Sequence, residues 1–187
     1  FVGEPPMMRP DADEVHVSVT FTWDKPHAEH LAAAWEQYYP VKIGGPAYDS
    51  PNPNFTLGMY VKEGVVFTSR GCNRKCPWCL VPSREGKLIL LPIQEGYIIN
   101  DNNLLQCPRE HIEGVFSMLR RQKHPAEFPG GIDARMVDDW FADQVRSIRV
   151  HQMFLAADTE GAMQPLAMAI SKLSFLGENK LRSYVLI

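Results

Sequence analysis

The pattern of hydrophobic and polar positions predicts strands and helices that alternate along most of the chain. Residues 15–21 alternate apolar and polar side chains, as a half-buried strand does. A helix begins near Pro26, and its apolar residues recur at helical spacing up to Tyr38. A second short strand over residues 41–45 ends in a glycine pair. We therefore expect a β-α-β unit over residues 1–48.

A stretch rich in Pro, Asn and Asp separates this unit from the rest, and we expect it to be a linker over residues 49–59. From residue 60 the alternation predicts five strands, at residues 65–68, 97–100, 131–135, 150–156 and 181–187. Amphipathic helices are expected to begin near Pro108, Val137 and Ala162. Repeated strand–helix units indicate an α/β fold with a parallel sheet, because parallel strands need crossover connections. Five such strands fit either an open doubly wound sheet or part of a (β/α) barrel.

Composition excludes some classes of protein. The 187 residues are 45% hydrophobic and 22% charged, and the formal net charge is -3. No long basic run suggests a nucleic-acid surface. No apolar stretch approaches the roughly 20 residues that a membrane helix needs. We expect a protein with neither a membrane partner nor a nucleic-acid partner.

The cysteines carry the most specific signal in the chain. Three of the four, Cys72, Cys76 and Cys79, stand in one short loop with C-x3-C-x2-C spacing after an apolar strand. This clustering fits a reducing compartment better than a secreted disulfide framework, so we expect a cytoplasmic protein. Cys107 stands apart, as a further ligand, a catalytic thiol or a buried small residue.

Three clustered thiolates allow several kinds of site. They could hold three irons of a cubane cluster and leave the fourth iron open to a small molecule. An electron-transfer protein would instead close the cluster with a fourth ligand such as Cys107. A zinc-stabilised binding module would use the same three cysteines with Cys107 or His111, since structural zinc takes four ligands. A disulfide pair and a chance clustering of cysteines are the remaining alternatives.

The run Cys72-Asn73-Arg74-Lys75-Cys76-Pro77-Trp78-Cys79 resembles the signature of the radical S-adenosylmethionine (radical SAM) enzymes. That resemblance implies a 4Fe-4S cluster on the three cysteines, with S-adenosylmethionine on the open iron. It also implies a partial (β/α)6 TIM-like barrel over residues 60–187. The expected activity is reductive cleavage of S-adenosylmethionine to a 5′-deoxyadenosyl radical, which abstracts hydrogen from a small-molecule or peptide substrate. Flavodoxin or ferredoxin is the expected reductant.

The unit over residues 1–48 is similar to the end of the Rossmann-like, cobalamin-binding-type domain that precedes the barrel in one branch of these enzymes. The Asp-x-His-x-x-Gly element that ligates cobalt in many such domains is absent from the sequence, which leaves cobalamin an open question. The chain begins with Phe1 and ends in a strand-like run after the fifth strand. We therefore expect a piece of a longer protein whose barrel stops one strand short of six.

Ligands of parallel α/β folds bind beyond the carboxyl ends of the strands, which selects a few polar residues. By the resemblance, Trp78 would pack near the adenine of S-adenosylmethionine, and Asp101 or Asn102 would accept from its ammonium group. Arg135 would pair with its carboxylate and Asp158 with its ribose hydroxyls. Each has a structural alternative: an Asx turn for residues 101–103, an ion pair for Arg135, and a helix N-cap for Asp158.

Overall fold

A computed structural model describes residues 3–48 and 61–184, which fall into two compact units, Phe1–Thr56 and Leu57–Ile187. The predicted linker over residues 49–59 lies outside the described residues. The last three residues of the predicted fifth strand also lie outside them.

The first unit is a small β-α-β arrangement. Strand β1 (Val15–Ser18) pairs in parallel with β2 (Val41–Gly44), and helix α1 (Lys25–Glu36) connects them. Pro26 lies in the first turn of α1, where its missing N–H leaves no helical hydrogen bond unmade. The predicted strand–helix–strand order is confirmed.

The second unit contains the remaining strands and helices. Its strands are β3 (Val65–Val66), β4 (Ser69–Arg70), β5 (Ile89–Leu90), β6 (Ile98–Ile99), β7 (Ala126–Asp133), β8 (Val150–Ala156) and β9 (Leu181–Tyr184). Its helices are α2 (Val81–Arg84), α3 (Arg109–Arg121), α4 (Asp139–Arg146) and α5 (Met163–Lys172).

Five of these strands form one parallel sheet in the order β3-β6-β7-β8-β9. Their order in the sheet is their order in the chain, with no point at which it reverses. Helices α3, α4 and α5 each lie in the connection between successive strands. All five carboxyl ends therefore point to the same edge of the sheet, here called the carboxyl edge. The predicted α/β fold with a parallel sheet is confirmed.

The sheet and its helices bury a contiguous hydrophobic core. Phe116 of α3 packs edge-on against Phe141 of α4, with ring centroids 5.7 Å apart, and lies 6.1 Å from the ring of Phe128 on β7. All three phenylalanine side chains are fully buried. Met153 and Leu155 point into the same core from β8, two residues apart as strand geometry requires. The core fixes the positions of the strand ends, where polar residues follow.

One local prediction was wrong, and one short strand pair was not predicted. The third strand of the sheet spans Ala126–Asp133 and not residues 131–135, which continue into a 3₁₀ turn over Ala134–Met136. Its register with β8 shifts between Phe128 and Ile132, where the sequence Pro-Gly-Gly reads as a turn although the strand continues through it. The short antiparallel pair of β4 and β5, which lies on either side of the cysteines in the chain, was not predicted.

Candidate metal centre

The loop over residues 72–79, here called the cysteine loop, lies between β4 and β5. The backbone N–H of Cys72 donates to the carbonyl of Gly86 across this hairpin at 3.1 Å. Gly71, just before the loop, has φ +76°, and a Cβ atom there would lie 2.2 Å from the carbonyl oxygen of Lys87. Only glycine fits both this left-handed backbone and this close approach. The local sequence thus sets where the loop leaves the strand.

Two residues just after β6, Asp101 and Asn102, accept hydrogen bonds from the residues that lead into the cysteine loop. Asp101 is 3% exposed, and its carboxylate accepts three hydrogen bonds. The donors are the backbone N–H and hydroxyl of Thr68, each at 2.6 Å, and the hydroxyl of Ser69 at 2.7 Å. The amide oxygen of Asn102 accepts from the backbone N–H of Gly71 at 2.9 Å. These long-range contacts take the place of the Asx turn weighed from the sequence.

Gln106 contacts the cysteine loop directly. Its Nε2 donates to the sulfur of Cys72 at 3.2 Å, and its Oε1 accepts from the backbone N–H of Asn73 at 2.8 Å. The backbone N–H of Arg74 also donates to the Cys72 sulfur, at 3.4 Å. The Asn73 side chain in turn accepts from the backbone N–H of Leu88 at 3.2 Å. One glutamine therefore fixes both the backbone and the first sulfur of the loop.

The three loop thiols are free, half-buried and close enough to influence one another's charge. Burial is the largest cause of a raised pKa of Cys76, and the Cys79 and Cys72 thiolates add to it. The positive charges of Arg135 and Arg74 act in the opposite direction. The structure thus gathers three thiols and two guanidinium groups at one place.

A buried carboxylate organises those guanidinium groups. Asp133, 5% exposed at the end of β7, accepts from Arg135 Nε at 2.8 Å and from Arg135 Nη2 at 3.0 Å. Arg74 Nε lies 2.8 Å from Asp133 Oδ2, the oxygen that also accepts from Arg135 Nη2, as an ion pair, although its N–H is poorly aligned for a hydrogen bond. Burial alone would raise the pKa of Asp133, but the hydrogen bonds and charges of the two arginines outweigh it and lower that pKa.

Arg135 also feels the charge of Asp158. The hydrogen bond to Asp133 is the largest cause of the raised pKa of Arg135, and the charges of Cys76 and Asp158 contribute to it. Arg135 therefore forms the ion pair weighed from the sequence. Asp158 does not cap a helix, because Thr159 and Ala162 occupy the N-cap positions that follow it. Asp158 itself lies two residues after the end of β8, at the carboxyl edge.

The sequence-predicted residues thus fall into two groups. Cys72 and Cys79 lie close enough to Cys76, and Cys76 and Asp158 to Arg135, for their charges to act on one another, whereas Asp101 and Asn102 accept hydrogen bonds from the residues before the loop. Trp78 is 43% exposed on the loop itself. Contacts with S-adenosylmethionine stay predictions for all of these residues.

The sequence reasoning missed four residues that shape the site: Thr68, Ser69, Glu85 and Gln106. Glu85 pairs with Arg70 beside the loop entry. Gln106 follows the carboxyl end of β6 by seven residues. Ligands of parallel α/β folds bind beyond such strand ends, so its position in the sequence was a usable signal. No sequence signal distinguishes Thr68 and Ser69 from other strand residues.

Cys107 belongs to a different environment. It is buried in the main hydrophobic core, and burial is the largest cause of its raised pKa, opposed by a hydrogen bond with Ser69. Across residues 3–48 and 61–184, no three or more His, Cys, Asp or Glu side chains are arranged to hold a single metal ion. An iron–sulfur cluster needs a different arrangement from a single ion, because each thiolate binds a different iron.

No protein-family model, no curated protein and no solved structure matches the chain. Among the described residues, no helix has the length and apolar character needed to cross a membrane. Function must therefore be argued from the chemistry of the cysteine loop and its surroundings.

Proposed function

We propose that the protein is a radical SAM enzyme, in which Cys72, Cys76 and Cys79 hold a 4Fe-4S cluster. The observation that supports this most directly is the placement of three free, half-buried thiols with C-x3-C-x2-C spacing near the carboxyl edge of a parallel sheet. That edge is where α/β folds bind ligands. When bound, the reduced cluster would supply the electron that cleaves S-adenosylmethionine to methionine and a 5′-deoxyadenosyl radical.

The order of the strands supports the barrel part of the proposal. A doubly wound sheet reverses its order at a switch point, whereas a (β/α) barrel adds each strand beside the one before it. The five described strands follow the second pattern. We propose that this sheet is part of a (β/α)6 barrel, with the cysteine loop after its first strand.

The charge around the thiols fits an anionic cluster. Thiolate ligands make the cluster negative, and Arg74 and Arg135 place positive charge beside Cys76. Asp133 holds both guanidinium groups in position, so their charge does not depend on flexible surface side chains. The donor set and its electrostatics therefore fit an iron–sulfur cluster.

Four residues are proposed to bind S-adenosylmethionine. Trp78 presents an exposed ring for the adenine, Arg135 a guanidinium for the carboxylate, and Asp158 a carboxylate for the ribose hydroxyls. For the ammonium group the structure favours Asn102 over Asp101. The Asp101 carboxylate is buried and already accepts three hydrogen bonds, whereas Asn102 is half-buried and uses its amide oxygen once.

The partners follow from the same proposal. The substrate would be a small molecule or peptide, and the electron would come from flavodoxin or ferredoxin. Free thiols and a cluster suit a reducing compartment such as the cytoplasm. The sequence lacks the cobalt-ligating element named above, and we assign cobalamin no role.

The test is anaerobic purification, reconstitution with iron and sulfide, and addition of dithionite and S-adenosylmethionine, with chromatography for 5′-deoxyadenosine. We expect a brown protein that releases 5′-deoxyadenosine. Cys76→Ala should lose the cluster and all cleavage, whereas the matched variant Cys107→Ala should keep the cluster. Cluster loss in both variants would favour a four-cysteine electron carrier. A colourless protein that retains zinc would overturn the proposal.

A further inference from the structure

We infer that Gln106 is a positioning residue that fixes Cys72 as a cluster ligand and raises the reduction potential of the cluster. This inference rests on the proposed function, because it assumes that Cys72 ligates iron. It goes beyond that function by assigning control of the potential to a residue outside the cysteine loop.

The Gln106 side chain makes two hydrogen bonds to the cysteine loop, and this pair of bonds is here called the brace. One end of its amide donates to the Cys72 sulfur at 3.2 Å, and the other accepts from the Asn73 N–H at 2.8 Å. The amide therefore cannot rotate without losing both hydrogen bonds. Gln106 itself ends a 3₁₀ turn over Leu104–Gln106, whose two leucines are buried. The brace is thus anchored in the hydrophobic core rather than on a mobile surface.

The donated hydrogen bond has a defined electrostatic consequence. One-electron reduction by a low-potential donor adds a negative charge to the cluster, and part of that charge resides on the ligating sulfurs. An N–H group pointing at a sulfur stabilises the reduced form more than the oxidised form. Cys72 receives two such donors, Gln106 Nε2 and the backbone N–H of Arg74. Only the first can be removed by substitution without altering the loop sequence.

The experiment compares Gln106→Met with the wild-type chain after anaerobic reconstitution. Methionine has a similar length and no N–H donor, and it leaves the formal charge unchanged. The matched control is Gln144→Met, since Gln144 lies near the end of α4, next to the amino end of β8. Iron and sulfide content are measured first, and the midpoint potential is then measured by dye-mediated titration monitored by electron paramagnetic resonance.

We expect Gln144→Met to load iron and sulfide as the wild type does. We expect Gln106→Met to load less completely, with a more negative midpoint potential in the fraction that loads. Equal potentials in wild type and Gln106→Met would overturn the inference while the cluster itself stands. A wild-type chain that binds no iron would overturn the inference and the proposed function together.

A variant that fails to load the cluster also gives an answer. Gln106→Glu keeps an acceptor for the Asn73 N–H but places a second oxygen against the Cys72 sulfur. Failure of both Gln106 variants to load, with unchanged circular dichroism and a loaded Gln144→Met control, would support the positioning role. Full loading and a wild-type potential in Gln106→Glu would contradict it.

Discussion

The hydrophobic core and the cysteine loop are held together by different kinds of contact. In the core, side chains such as Phe116, Phe128 and Phe141 pack on one another, and their burial follows from helix and strand periodicity. The cysteine loop is half-exposed and is held by hydrogen bonds from residues about 30 positions further along the chain, chiefly Asn102 and Gln106. The core therefore determines stability, and the polar contacts determine the geometry of the thiols.

The difference predicts which substitutions should unfold the second unit and which should disturb only the cysteine loop. Removing a core side chain should weaken the whole second unit. Under the proposed function, removing a loop contact should alter cluster assembly while the sheet remains folded. Five substitutions test this separation, from the largest expected effect on stability to the smallest.

Phe141→Ala should have the largest effect. Its ring is fully buried between α4 and α3, and truncation of a buried phenylalanine costs about 3–5 kcal/mol of unfolding free energy. Urea denaturation followed by circular dichroism measures the change. The matched control is Phe175→Ala, whose exposed ring should cost under about 1 kcal/mol. Equal losses in the two variants would contradict the assignment of the core.

Asp101→Ala should have the second-largest effect on stability, because the buried Asp101 carboxylate joins the sheet to the residues that lead into the cysteine loop. It leaves the Thr68 and Ser69 donors unsatisfied in a buried place, and we expect a loss of about 2–3 kcal/mol. Asp101→Asn should be milder, because an amide oxygen still accepts from the Thr68 N–H and the hydroxyl groups can rotate. Denaturant unfolding of both variants measures this order. A larger loss in the asparagine variant would contradict it.

Gly71→Ala should damage the loop more than the core. Its left-handed backbone costs about 1–2 kcal/mol for any residue with a Cβ atom, and the contact with Lys87 forces the loop to move. Gly86→Ala is the control, because it has φ +78° but no atom within 4 Å of its added Cβ. Under the proposed function, we expect the iron content after reconstitution to fall in Gly71→Ala alone. Equal iron content in the two variants would show that the close contact is unimportant.

Asp133→Asn should lower the unfolding free energy by about 1–2 kcal/mol at neutral pH. The loss is modest because both arginine partners are more than a third exposed, and solvent screens their charges. The pKa of Asp133 is lowered in the folded protein, so its stabilisation is fully present above about pH 4 and is lost as the pH falls toward the folded pKa. Wild type and variant should therefore differ in unfolding free energy at pH 7 and converge below about pH 4. A gap that widens in acid would contradict the ion-pair assignment.

Trp78→Ala should change stability by under about 0.5 kcal/mol, because the ring is exposed. Under the proposed function it should weaken S-adenosylmethionine binding to the reconstituted protein by about 0.5–1.5 kcal/mol, the range of an aromatic stacking contact. Calorimetry under anaerobic conditions measures the affinity. Trp23→Ala removes an exposed tryptophan from the first unit and should leave the affinity unchanged. Unchanged affinity in Trp78→Ala would remove Trp78 from the proposed site.

The sequence predicted the core better than the site. Apolar periodicity located α3, α4 and β8 closely, because burial on one face imposes that periodicity. It misplaced β7, because Pro129, Gly130 and Gly131 are turn-forming residues that here lie within a strand. It also missed the β4–β5 pair, whose strands of two residues each are too short for any period to show.

For the site, the sequence predicted only features that depend on the spacing of residues close together in the chain. The three loop cysteines can be recognised as a motif because they lie within a run of eight residues. The contacts of Gln106 with Cys72 and of Arg74 with Asp133 join residues 34 and 59 positions apart, and nothing in a single sequence encodes such pairs. The roles of Asp101 and Asn102 in bracing the loop became visible only from their hydrogen bonds.

The sequential strand order also bears on the course of biosynthesis. Each strand of the sheet after the first pairs with a strand that was synthesised before it, so folding can advance from the amino-terminal side as the chain emerges. The three loop cysteines and the residues that hold the loop, Asn102 and Gln106, all lie within residues 71–106. Their hydrogen-bonding groups are therefore synthesised before β7, β8 and β9. The Asp133–arginine cluster is completed later, when β7 and the turn after it have joined the sheet.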